Sequence, residues 1–74
     1  MSVQIVMDSQ GDSRHFFDKA DLQSLADAQA RFKDLAAKGF RAVVPGESGG
    51  PGRLLSGFDP NIEETLFIPP LRGG

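Results

Sequence analysis

The chain closes on Leu71-Arg72-Gly73-Gly74, an arginine and two side-chain-free residues that add nothing to a core. Few other groups are equipped for chemistry. There is no cysteine, which removes disulfides, thiolate zinc sites and cysteine nucleophiles. His15, between Arg14 and Phe16, is the single histidine, and with no carboxylates at ligand spacing it makes no metal site. Glu63 and Glu64 are adjacent, so in a strand they point to opposite faces and form no acid–base pair.

The stretch Gly46-Glu47-Ser48-Gly49-Gly50-Pro51 is similar to the nucleophile loop of trypsin-type serine proteases. It has Glu where that family has Asp, His15 would have to be the base, and 74 residues cannot build the two barrels that place such a triad. Nor does it hold the Gly-Lys-Ser/Thr that opens a helix under a phosphate. A surface loop is the expectation. Asp59 before Pro60 reads as a turn former.

Composition sets the frame. A chain of 74 residues makes one domain, burying only about 60% of the surface its unfolded form exposes. With 39% hydrophobic residues, six of them Phe, and 24% charged, it has the material for a core. A net charge of −2 gives no footprint for nucleic acid or an anionic membrane. Without an apolar run of about 18–20 residues or a signal-peptide pattern at the start, a cytoplasmic monomer is expected.

The elements follow from periodicity. Ser2–Ser9 predicts a strand, with Val3, Ile5 and Met7 on the buried face and Gln4 and Asp8 on the polar one. Gln10-Gly11-Asp12-Ser13 is a turn, and Arg14–Phe17 the returning strand. Asp18 or Asp21 caps a helix to about Lys38, whose core face is Leu22, Leu25, Ala28, Phe32, Leu35 and Ala36, with Gly39 as its stop. Phe40–Val44 is a strand ended by Pro45, Gly46–Gly52 a loop, and Arg53–Ser56 a short edge strand. Gly57–Asn61 turns the chain with Phe58 as its apolar anchor. Thr65–Ile68 is the last strand, with Leu66 and Ile68 on one face and Thr65 and Phe67 on the other. Pro69 and Pro70 end its pairing. No internal repeat is visible.

One helix cannot cover both faces of a sheet, so it packs across one, and the first and last strands lie parallel at the centre. The predicted class is α+β: a β-grasp, with a mixed four- to five-stranded sheet, over residues 1–70, and a flexible tail at 71–74.

The segment from Arg53 to Gly74 resembles the end of the ubiquitin-like proteins. Arg53, Leu55, Ser56, Phe58, Asn61, Ile62, Thr65, Leu66, Leu71, Arg72, Gly73 and Gly74 come in that family's order. An extra residue is needed near Asp59-Pro60, and Pro69-Pro70 replaces a more aliphatic run. The match covers about a third of the chain; Val3–Met7 is similar in character to the family's first strand. The likeness is to the diverged members, among them those that bacteria encode beside activating, conjugating and deconjugating enzymes. Phage defence is the process such a setting implies.

This resemblance implies a non-enzymatic protein modifier, joined to targets by an isopeptide bond through Gly73 and Gly74. The carboxylate would attack the α-phosphate of ATP on an activating enzyme and pass through a thioester to a conjugating enzyme and the target proteins. A protease would reverse the bond. No cofactor is bound by the chain itself; ATP belongs to the partner. Residues 71–74, extended, reach about 13–14 Å. Arg72 suits an acidic partner group, and Leu71 an apolar pocket. For docking, the sheet face opposite the helix is expected, with Phe67, Phe40 and Val44. Lys19, Lys33 and Lys38 are the lysines available for chains. A sulfur carrier ending as a thiocarboxylate, and a β-grasp binding module that never uses its terminus, remain alternatives.

Overall fold

The first hairpin forms where Gly11 can take the positive φ of 123° that its turn demands. The Asp8 carboxylate accepts from Gln10 N at 2.9 Å, and its carbonyl accepts from Gly11 N at 3.1 Å. The computed structural model describes residues 1–46 and 52–70. Strands β1 (Ser2–Val6) and β2 (Ser13–Phe17) flank this turn in antiparallel register, Ser2 opposite Phe17 and Val6 opposite Ser13.

Helix α1 (Leu22–Ala37) is capped at both ends by its own sequence. Asp21 has extended backbone angles, and its carboxylate accepts from Gln23 N and Ser24 N at 3.0 and 3.2 Å. Ser24 Oγ reciprocates by accepting from Asp18 N at 3.0 Å. At the other end Gly39 N donates to the Ala36 carbonyl and Phe40 N to the Leu35 carbonyl, both at 3.0 Å. This paired closure requires a left-handed residue, which Gly39 supplies at φ 93°. Because Phe40 N serves the helix end, β3 begins one residue later than expected, at Arg41, and runs to Val44.

Strand β4 (Arg53–Leu55) pairs antiparallel with β3, and β5 (Glu64–Ile68) enters between β1 and β3. The order is β2-β1-β5-β3-β4, a mixed five-stranded sheet in which β1 and β5 are the parallel central pair. The fold is therefore α+β, with one helix on one face. The core lies between them: Phe32 and Leu35 from α1 meet Ala42 and Phe67, with Val6, Phe40, Leu55 and Phe58 around them. Phe58 holds its turn down as expected, with its ring 5.7 Å from Phe17 and 6.0 Å from Phe32, while Phe32 meets Phe67 edge-on at 5.6 Å. Such aromatic pairs each contribute about 0.5–1.5 kcal/mol beyond area burial.

Three expectations are corrected. The face of β1 toward the helix carries Ser2, Gln4 and Val6, not Val3, Ile5 and Met7. Gln4 is buried there because its amide is satisfied: Nε2 donates to the Ala28 carbonyl and Oε1 accepts from Arg31. Leu22 is 81% exposed, because a sixteen-residue helix runs about 24 Å and its first turn reaches beyond the packed stripe of Leu25, Ala28, Phe32 and Leu35. Ala36 is exposed as well, and lines a groove beside β4.

Candidate functional site

Three places concentrate features that a partner could read: the stem below residues 71–74, the sheet face without a helix, and the groove beside β4.

The stem forms because β5 ends at Ile68, paired with Arg41, and prolines follow. As expected, ladder pairing stops there. Pro70 passes over the end of α1 so closely that a Cβ at Gly39 would sit 3.3 Å from its Cβ and Cγ. Gly39 thus closes the helix and makes room for the outgoing chain. Asp8, Ser9, Lys38 and Phe40 complete the hollow around the two prolines. Lys38 pairs with Asp34 at 2.9 Å, an exposed bridge one helical turn long. Leu71, Arg72, Gly73 and Gly74 lie outside the described residues, as do Glu47–Pro51 of the glycine-rich loop.

On the uncovered face, register aligns Arg14, Ile5, Leu66, Val43 and Leu54 into a row crossing all five strands. Directly opposed residues share a face, so the next positions of the same parity join it: Phe16 beside Val3, and Ile68 beside Arg41. Ile5, in the middle, is 5% exposed even without a helix above it, whereas Leu54 and Phe16 at the edges are 65% and 61% exposed. The result is an apolar band flanked by two guanidinium groups.

The expected docking residues lie elsewhere. Phe67 does not face away from the helix; it is 1% exposed and packs against Phe32, because its register partners Val6 and Ala42 belong to the core layer. Phe40 is half-buried against the same cluster, bordering both the stem hollow and the β4 groove. Val44, opposite Arg53, shares Ala42's side of β3 and borders a shallow pocket with Ile62 and Glu64. The residues that replace them, Val43, Leu54 and Ile5, carry a partial signal in the sequence: Leu66 and Ile68 read as one face. Which residues stand beside them is set by register, which no local pattern encodes.

His15 lies on the helix side, opposite Gln4, with Nε2 3.1 Å from Ser13 Oγ. Burial first, and the Arg31 charge second, hold its imidazole below the ordinary value of 6.5. Asp59 behaves as the expected turn former, accepting from Asn61 N at 2.9 Å. Lys19 donates to Asn61 Oδ1 at 3.0 Å, while Lys33 and Lys38 stand exposed on the helix end. Among the described residues no three His, Cys, Asp or Glu side chains group as a metal site, and no helix is long and apolar enough to cross a membrane.

Comparison with protein-family models, with curated proteins and with solved structures finds no match for this chain.

Proposed function

We propose that this domain is a β-grasp, ubiquitin-like modifier, activated at the carboxyl group of Gly74 and attached to target amines by partner enzymes. One relationship carries the reading. A parallel central pair, β1 and β5, hands the chain to Pro69-Pro70, so that whatever follows leaves from the middle of the sheet over a buttressed stem. The order of matching residues from Arg53 to Gly74 supports it.

The chemistry assigned to the tail is acyl transfer. The ionised Gly74 carboxylate attacks the α-phosphorus of ATP and expels pyrophosphate. An enzyme thiolate then attacks the acyl-adenylate carbonyl and releases AMP, and a target amine displaces the thiolate to leave an amide. Every catalytic group belongs to a partner. The chain contributes reach, a slim path of two residues without Cβ, and the Arg72 guanidinium, which suits a carboxylate clamp. The uncovered apolar face, with Arg14 and Arg41 at its margins, is where the conjugating machinery or a reader would rest.

The deciding experiment incubates the purified chain with its adenylating enzyme, ATP and cell lysate. Higher-mass conjugates that vanish on deletion of Gly74 sustain the proposal. Replacement of one oxygen by sulfur at the terminus instead makes it a sulfur carrier, and no change at either level makes it a binding module.

A further inference from the structure

The sheet has two outer strands, and they are finished differently. Strand β4 spans three residues. Strand β2 spans five in unbroken register with β1, holds no proline or lysine, and has no neighbour on its far side among the described residues. Native edges are usually blunted by such residues, by bulges or by cover. Here Phe16 stands on the open edge, 61% exposed.

The backbone groups that this edge offers follow from β1. Val3 N donates to the Glu63 carbonyl at 2.8 Å and Met7 N to the Phe67 carbonyl at 2.9 Å, so the odd residues of β1 address β5. Strand backbones alternate, so Ser2, Gln4 and Val6 turn the other way, toward Phe17, His15 and Ser13. Arg14 and Phe16 therefore point their N–H and C=O groups outward.

A second copy of the same strand fits these positions. In antiparallel pairing about a two-fold axis, outward positions must face outward positions, so the axis passes through Arg14, His15 or Phe16. At Arg14 it sets guanidinium against guanidinium. At Phe16 it calls on Asp18 N, which already donates to Ser24 Oγ at 3.0 Å. At His15 the whole strand pairs: Ser13 with Phe17, Arg14 with Phe16, and His15 with itself. Each Arg14 guanidinium then lies beside the other copy's Phe16 ring, a cation–π contact made twice. Beyond the strand ends Asp12 comes opposite Asp18, like charge against like, which confines the ladder to β2.

We propose that β2 is a self-association edge: two copies of this chain pair β2 with β2, antiparallel about His15, and join their sheets into one. Five residues a side fall short of the roughly 20–30 of a stable interface. The dimer is accordingly weak, and the monomer expected from composition is its dissociated state. The contact does not use the Gly74 carboxyl group, so it stands or falls independently of the modifier reading.

The test compares the ¹⁵N-labelled full chain at about 0.05 and 2 mM. Amide shifts and slowed hydrogen exchange should grow with concentration at Ser13–Phe17, with a dissociation constant on the order of 0.1–1 mM. Phe16→Lys, at an exposed position, sets an ammonium against Arg14 and should weaken association at least about tenfold without moving the unfolding midpoint. Adding Arg14→Glu to it should restore association, since opposite charges then face each other. The chain has no cysteine, so His15→Cys places one thiol at the axis, where facing Cα atoms lie about 4.5 Å apart, within disulfide reach. Its oxidation to a covalent dimer should outpace that of Leu54→Cys at least about tenfold. In the wild type, His15 faces Arg31 from α1 and the neutral Gln4 from β1. Two imidazolium groups at the axis add repulsion, so association should weaken from about pH 7.5 to 5, and His15→Gln should remove that dependence. Absence of concentration dependence, shifts centred on β4 or on Val43 and Leu66, unchanged association in Phe16→Lys, or equal oxidation of the two cysteine variants would each overturn the inference.

Discussion

Gln4 on the central strand and Ala28 on the helix are joined by a 3.0 Å hydrogen bond from the Gln4 side-chain amide to the Ala28 carbonyl. Both residues are fully enclosed. Ala28 lets the helix come close enough for the bond to form, and the other end of the amide accepts from Arg31 at 2.9 Å. A polar group thereby sits at the helix–sheet junction without an unmet partner.

Gln4→Glu tests this directly. A carboxylate can accept from Arg31 but cannot donate to Ala28, so the variant should lose about 1–3 kcal/mol at neutral pH. Protonation restores the donor. Relative to wild type, the deficit should therefore shrink as pH falls, because burial raises the new carboxyl group above its unfolded value. Urea unfolding at two pH values measures it, and a constant deficit would count against the bond.

Phe67 and Leu54 lie on opposite faces of the sheet and should differ in their cost to stability. Phe67→Ala opens a cavity under Phe32 and should cost about 3–5 kcal/mol. Leu54→Ala, at an exposed edge, should stay within about 0.5 kcal/mol. Denaturation midpoints of the two variants give both readings, and equal losses would contradict the assignment of faces.

Gly52 precedes β4 where a Cβ would lie 2.6 Å from the Val44 carbonyl oxygen and 3.0 Å from Val43 Cγ1. The obstacle is backbone already committed to the β3–β4 ladder, so Gly52→Ala should destabilise by about 1–3 kcal/mol. Hydrogen exchange should speed up in β3 and β4 while β1 and β2 keep their protection. Uniform loss across the sheet would contradict that local origin.

The His15 imidazole titrates below 6.5 in the folded chain, so the unfolded chain binds more protons between that lowered value and 6.5. Stability is then full above about pH 6.5 and declines as pH falls through the window. His15→Gln should flatten this part of the profile. A melting-temperature series from about pH 7.5 to 5, wild type against variant, reads the difference; identical slopes would remove His15 as its source.

Deleting Gly74 should leave the unfolding midpoint unchanged and abolish conjugates with the activating system. A shifted midpoint would mean that the terminus contributes to the body of the fold.

The local grammar of this chain is legible residue by residue. Asp21 and Gly39 mark the helix because a carboxylate satisfies free N–H groups and a glycine accepts a left-handed angle, both matters of a few neighbouring atoms. Prolines 69 and 70 end the last strand for an equally local reason, the missing donor. The order of elements, with a helix between two hairpin-like pairs, even suffices to anticipate the parallel pairing of β1 with β5. What the sequence could not decide is facing. Val3, Gln4, Ile5 and Val6 offer apolar groups to both sides of β1, and the helix side was chosen by Ala28 and Arg31, 24 and 27 residues away, which make a buried Gln4 acceptable. That choice, passed through the register to Thr65, Phe67 and Ala42, sends Phe67 inward and aligns Ile5, Leu66, Val43 and Leu54 outward. Strand periodicity defines two faces; only the tertiary contacts determine which one meets the helix, because a one-residue change of parity is nearly free locally and is settled by burial across the whole sheet.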